Sequence, residues 1–226
     1  MEVKSNDLEI IKQIEEKIGF ELKELNEKEF NRELKSYADI RRGYLMDKNY
    51  RIQGLRIELT PTPPISLIKK LSSIKRLILR YVLLKEISSL KELSGLTYLD
   101  LKYNNLTDAD ITFLKALKGL SALNLSGNKR IKNYSFLKNL KGLTSLYLSG
   151  NKEIKNYTFL KELKELTTLD LSDNNLTDVD FTLLKELKEL TSLYLSGNKE
   201  IKDYTFLKEL KELTTLDLRC PFGKRA

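Results

Sequence analysis

From about residue 52 onward the apolar residues follow two interleaved periods. Short stretches alternate one for one, as in Leu99-Asp-Leu101, Leu146-Tyr-Leu148, Leu169-Asp-Leu171 and Leu193-Tyr-Leu195. Period two predicts a strand with its leucines on one side. Between these stretches lie runs such as Phe159-Leu160-Lys-Glu-Leu163-Lys-Glu-Leu166, with a leucine every third residue and Lys or Glu between. They predict a short helix or 3₁₀ turn with one buried stripe and a solvated, mixed-charge outer face. The first leucines of successive units, Leu96, Leu120, Leu143, Leu166, Leu190 and Leu213, are spaced 24, 23, 23, 24 and 23 residues apart. Two degenerate units begin at Ile52 and Ile74, so residues 52–226 hold eight units, the last incomplete.

An asparagine follows the strand at a fixed offset in five units: Asn104, Asn128, Asn151, Asn174 and Asn198. A carboxamide both donates and accepts, so a stack of them can satisfy the turn backbone from unit to unit. Alignment on the leucines gives a second column expected to be buried, Ile111, Tyr134, Tyr157, Phe181 and Tyr204. Strands stack about 4.8 Å apart and helices about 8–10 Å, so the array is expected to curve with its strands inside. Seven strand steps make a concave face roughly 34 Å long. The run Leu96-Thr-Tyr-Leu99-Asp-Leu101-Lys-Tyr-Asn104, repeated at 143–151, 166–174 and 190–198, resembles the LxxLxLxxN core of the leucine-rich-repeat family. The resemblance implies an α/β solenoid with a curved parallel sheet, one short strand per repeat and a helical or irregular return segment.

Residues 1–51 are expected to cap the N-terminal end of the array, which otherwise leaves an exposed face. A helix is predicted over 5–19, with Asn6 and Glu9 as a capping-box pair, Leu8, Ile11, Ile14 and Ile18 as its apolar face and Gly19 as its end. A second helix is predicted from Asn26 through Phe30, Leu34, Tyr37 and Ile40 to Gly43, followed by a hairpin turning at Asp47-Lys-Asn49. Residues 8–20 and 43–55 also resemble the start of the repeat region of bacterial Roco-type proteins, where the repeats precede a GTPase module and a dimerisation module. No GxxxxGK[ST] phosphate loop occurs here, and Gly223-Lys224 is only a trace of one, so GTPase activity is not carried over. After the last strand, Pro221 stands where the turn asparagine belongs. A minimal cap, a fragment of a longer protein and a covering partner chain all fit that ending.

Composition removes chemistry. There is no histidine, hence no His-based triad or ligand set, and a lone cysteine, Cys220, makes neither a disulfide nor a zinc site. Asp108/Asp110 and Asp178/Asp180 read as turn and helix-start caps rather than calcium ligands. No enzyme activity, cofactor or metal is expected. The charged opening and the single thiol predict a cytoplasmic protein, with the Asn-x-Ser/Thr matches at Asn133 and Asn156 as accidents of the repeat. The net charge of +8 is concentrated: residues 41–85 hold eleven Lys/Arg against two acids, and the remainder is nearly balanced.

The face opposite the leucines is left for a partner. Its central column reads Arg56, Ile78, Asp100, Asn124, Tyr147, Asp170, Tyr194 and Asp217, with Arg76, Arg80, Tyr98 and Lys102 beside it. Tyrosine and arginine are frequent interface anchors. Arg56, Arg76 and Arg80 are expected to point to solvent within roughly 5–10 Å of one another, where an acidic protein segment would pair with them around Ile78. Replacing Arg76 and Arg80 with Glu is then expected to leave the fold intact. The function expected is protein binding by a monomer without chemistry. The alternatives are a regulatory repeat domain of, or partner to, a Roco-like GTPase, and nucleic-acid binding through 41–85.

Overall fold

The computed structural model describes residues 6–33, 42–60, 62–177 and 182–219. Ten strands lie in one sheet in chain order: β1 (Lys23–Glu24), β2 (Gly43–Met46), β3 (Ile52–Glu58), β4 (Arg76–Arg80), β5 (Tyr98–Asp100), β6 (Ala122–Asn124), β7 (Ser145–Tyr147), β8 (Thr168–Asp170), β9 (Ser192–Tyr194) and β10 (Thr215–Asp217). From β3 to β10 every pairing is parallel, one strand per unit. The architecture is the solenoid that the repeat implies. Parallel neighbours need a crossover of a dozen or more residues, which each unit's return segment supplies. Those segments include 3₁₀ turns at Ile87–Glu92, Thr112–Ala116, Ser135–Asn139, Thr158–Glu162 and Thr205–Glu209. Three residues per turn puts every third leucine on one line, so Leu137, Leu140, Leu160 and Leu163 are all buried. The strand leucines stack across the sheet in register, Leu77 to Leu99, Leu123, Leu146, Leu169 and Leu193.

The asparagines bind the units together. Asn128 Nδ2 donates to the carbonyls of Leu101 and Leu125, both at 2.9 Å, and its Oδ1 accepts the amides of Asn104 and Leu106, both at 3.1 Å. One side chain thereby answers four backbone groups in two units. Asn104, Asn151 and Asn198 each donate in the same way to a carbonyl of their own unit and one of the unit before, and Asn174 donates to the Leu148 carbonyl of the unit before. The residue ahead of each asparagine is left-handed. It is glycine at Gly127, Gly150 and Gly197, but Tyr103 and Asp173 take the same conformation at φ 57°.

Before the repeats, α1 (Asn6–Ile18) buries Ile10, Ile11, Ile14 and Ile18 and packs on α3 (Ile65–Ile68). Asn26 and Glu29 form the capping box of α2, but the described helix is one turn, Glu27–Asn31, and ends at Arg32 in extended conformation. Leu34, Tyr37 and Ile40 lie outside the described residues. Gly43 opens β2 rather than ending a helix: a Cβ there would stand 2.1 Å from the Lys23 carbonyl oxygen in β1. The β2–β3 hairpin forms as expected and is antiparallel, with the Asp47 carboxylate accepting the amides of Asn49 and Arg51. In the second column Ile111, Tyr134 and Tyr157 are buried, whereas Tyr204 is exposed and Phe181 is outside the described residues. Leu216 in the last described strand and Leu218 just after it are 39% and 37% exposed. No described helix is long and apolar enough to cross a membrane.

The ladder yields a stability prediction. Asn128→Ala leaves four buried backbone groups unanswered and should lower the unfolding free energy by at least about 2 kcal/mol. Asn139→Ala on an exposed return segment should change it by less than about 0.5 kcal/mol. Urea melts of both variants check the contrast.

Candidate interaction face

Strand register places eleven of the twelve candidate residues in three adjoining columns of the face opposite the leucines. The central one runs Arg56, Ile78, Asp100, Asn124, Tyr147, Asp170, Tyr194, Asp217. Gly54, Arg76, Tyr98, Ala122, Ser145, Thr168, Ser192 and Thr215 form the column beside it, and Arg80 lies on the other flank opposite Glu58. Lys102 follows two residues beyond Asp100.

The N-terminal half of this face is filled by the chain itself. Phe30, on α2, is fully buried against Leu45 and Ile78. It fits because position 54 is glycine: a Cβ at Gly54 would come within 2.9 Å of the Phe30 ring. Arg76 lies over the Phe30 ring at 4.7 Å and Tyr98 at 5.8 Å, with its guanidinium on Glu27 at 2.5 Å and on the Asn31 side chain. Arg80 is held by Asp100 at 2.5 Å, Glu33 at 3.1 Å and Glu58 at 3.5 Å. Arg56 donates to both carboxylate oxygens of Glu58 at 3.0 Å and to the Phe30 carbonyl. Burial works against the Arg80 charge, yet Asp100, Glu33 and Glu58 outweigh it and hold the guanidinium more firmly protonated than usual.

This corrects the expectation of three solvent-facing arginines. Arg56 is 0% and Arg80 2% exposed, Ile78 is 1% exposed, and Asp100 and Asn124 are buried beside them, Asn124 Nδ2 donating to Asp100. The repulsion among the arginines is relieved from within. The sequence reading overlooked Glu58 on the same face and the Glu27, Phe30, Glu33 spacing that lays two acids and a ring across it. The glycine inside β3 was the available signal, since a strand glycine marks close approach of another group.

The C-terminal half differs. Tyr147, Asp170, Tyr194 and Asp217 are each half-buried with nothing folded over them among the described residues. Asp217 pairs with Arg219 at 2.8 Å. The Asp170 Oδ1 accepts the Ser172 amide at 2.9 Å, and among the described residues no cation pairs with it. Burial pushes the Asp170 carboxyl above the usual carboxylate range, against the Ser172 hydrogen bonds and the nearby Lys102 charge. Burial also raises the hydroxyls of Tyr98 and Tyr147. Lys102 leans over Tyr103, which stacks on Tyr81 at 4.8 Å.

Among the described residues no group of three or more potential ligands could hold a metal ion. Asp108 receives the amides of Lys132 and Asn133 in the next unit, and Asp110 receives the amide and hydroxyl of Thr107. Asp178 and Asp180 lie outside the described residues.

Family models agree with this geometry. A model described as leucine rich repeat matches residues 94–152, and one described as leucine rich repeats in two copies matches 164–209. The fold is that of a leucine-rich-repeat solenoid. Neither matched model is of a catalytic family. No curated protein matches the chain. Among solved structures, an internalin from Listeria monocytogenes, inlF, is 26% identical with a TM-score of 0.63 over 75% of this chain and 51% of its own. The chain thus spans about half the length of that internalin. Internalin C2 of the same organism is 28% identical with a TM-score of 0.64, over 74% of this chain and 71% of its own. The leucine-rich-repeat ectodomain of the Arabidopsis receptor kinase HAESA, solved with a peptide hormone ligand, shares the fold at 21% identity and a TM-score of 0.65, over 97% of this chain and 42% of its own. The resemblance to Roco-type proteins is not among what these comparisons show.

Two predictions follow from the charges. Arg80→Glu sets a new carboxylate beside Asp100 and Glu58, so it should destabilise the fold by about 3–5 kcal/mol rather than leave it intact; a urea melt measures it. Asp170 has a raised folded-state pKa, so its stabilising contribution is present below the unfolded value near 3.8 and is lost as pH rises through the folded value. The stability of Asp170→Asn relative to the parent should therefore increase with pH across that window and level off above it, as thermal melts between pH 3 and 7 will report.

Proposed function

We propose that this chain is a non-catalytic protein-interaction module that receives its partner on the concave face between β6 and β10. The observation that carries this reading is the unequal cover of one sheet. Parallel sheets are normally covered on both faces, and here α2 covers the N-terminal half, while among the described residues nothing is folded over the half holding Tyr147, Asp170, Tyr194 and Asp217. Tyrosines offer large contact areas at small entropic cost, and a rigid strand platform holds them ready. An acidic ligand for the arginine end loses its support, because Glu27, Glu33, Glu58 and Asp100 already neutralise it. The chain works as a monomer in the cytoplasm, its single cysteine fitting that setting and its lack of histidine fitting a role without catalysis.

Nucleic-acid binding through 41–85 draws less support. Arg56, Lys69, Arg76 and Arg80 are tied to carboxylates and Arg42 to the carbonyls of Glu58 and Leu59, which removes them from the pool available to phosphates. A regulatory role beside a Roco-like GTPase rests only on the sequence likeness over 8–20 and 43–55.

Three baits test the reading against a native lysate: the parent, Tyr147→Ala with Tyr194→Ala, and Lys161→Glu with Lys164→Glu on the outer surface. Proteins captured by the parent and the outer variant should be lost from the tyrosine variant. Retention by the tyrosine variant with loss from the outer one would place recognition on the convex side.

A further inference from the structure

We infer that Asp170 is a seat for a guanidinium, the side chain of an arginine in an extended segment of the partner protein, bracketed by Tyr147 and Tyr194. This rests on the interaction face proposed above and names the chemistry that the face selects.

The register defines the surroundings. Tyr147 and Tyr194 sit directly beside Asp170 on the neighbouring strands, and Ser145, Thr168 and Ser192 form the row before. Ser149, Ser172 and Ser196 follow at the same offset in the row after. All eight positions around the aspartate thus carry a hydroxyl and none a charge. Ser172 donates its amide to Oδ1 at 2.9 Å and its hydroxyl also bonds the carboxylate, so among the described residues the group is held by hydrogen bonds and by no ion pair. A half-desolvated carboxylate with no cation in ion-pair contact costs stability, and burial raises its pKa despite the nearby Lys102 charge. Such a cost is recovered when a cation binds.

The same column shows what it takes. It contains two other aspartates, and each is met by an arginine of this chain: Asp100 by Arg80 at 2.5 Å and Asp217 by Arg219 at 2.8 Å. Asp170 repeats the pattern, and among the described residues no cation is paired with it, which leaves the place for one from a partner. The rings repeat it too. Arg76 lies between the Phe30 and Tyr98 rings at 4.7 and 5.8 Å. A strand step of about 4.8 Å brings Tyr147 and Tyr194 within the ~6 Å at which a cation is attracted to a ring face. A guanidinium is planar, stacks on tyrosine and forks onto a carboxylate, whereas an ammonium does only the last of these as a point charge. The neutral hydroxyls around the site accept or donate to a passing peptide backbone without competing for the charge.

The test is selection of a random peptide library on the immobilised full chain, followed by fluorescence anisotropy with the enriched peptides. Arginine should be enriched. Replacing that arginine with citrulline, or Asp170 with Asn, should each weaken binding on the order of tenfold or more, and the two changes together should cost little more than either alone. Lysine in place of arginine should weaken binding measurably. Circular dichroism matching the parent shows that Asp170→Asn is folded. Peptides that need Tyr147 and Tyr194 but tolerate Asp170→Asn, or bind equally well with lysine, would sink the guanidinium seat while leaving the interaction face standing. Peptides indifferent to all three side chains would remove both.

Discussion

A turn buried between two units has amides and carbonyls that water cannot reach, and in this chain a carboxamide from the neighbouring unit answers them. Asn128 alone joins the carbonyls of Leu101 and Leu125 to the amides of Asn104 and Leu106. Because each asparagine must meet two turns at once, the units cannot slide past one another by even one residue. That constraint aligns the strands, the strands stack the leucines, and the stacked leucines exclude the water that would otherwise compete for the asparagines. The columns of the opposite face are aligned by the same bonds, so a residue's place on the interaction face is fixed by its offset from the nearest asparagine.

The two halves of that face meet electrostatics differently. At β3 and β4 the arginines are buried, and buried guanidinium groups persist only with partners at hand. Glu58 and Asp100 come from the strands, and Glu27 and Glu33 from the short arm that also brings Phe30. The outcome is a closed, neutralised end. At β7 to β9 charge is sparse, hydroxyls dominate, and the single carboxylate at the centre is left with hydrogen bonds and no ion pair among the described residues. The closed end fixes the geometry of the sheet and the open end is free to use it.

Local regularity decided what was legible in the sequence. The strands, the 3₁₀ returns and the asparagine turns rest on contacts between equivalent positions of adjacent units, so a period of about 23 residues carried them directly. The hairpin was readable because Asp47 makes a local turn. What could not be read was contact between the repeats and the residues ahead of them. Nothing periodic announces that Phe30 fills the space above Gly54, and so Arg56 and Arg80 were expected at the surface when they are sealed beneath it. The two-residue β1 was hidden for the same reason: Gly43 admits it by lacking a Cβ, and a glycine there also suits a helix end.

The antiparallel β2 has a consequence for crowding many copies together. Solenoids of identical units carry the hazard of joining end to end, because the free edge of the last strand in one copy matches the first strand of the next, and a contact of that type repeats without closing. Among the described residues β10 is the last strand of the sheet and keeps the repeat's own polarity, with Leu216 and Leu218 exposed. At the opposite end the first described strand is β1, two residues long and parallel to a strand that runs against all the repeats. A copy arriving to continue the sheet in the direction of the repeats finds no strand of matching sense to extend. The reversal at residues 43–46 sets a change of polarity at this edge: a further copy laid down in the sense of the repeats would meet β1 antiparallel, out of keeping with the parallel pairing that runs from β3 to β10.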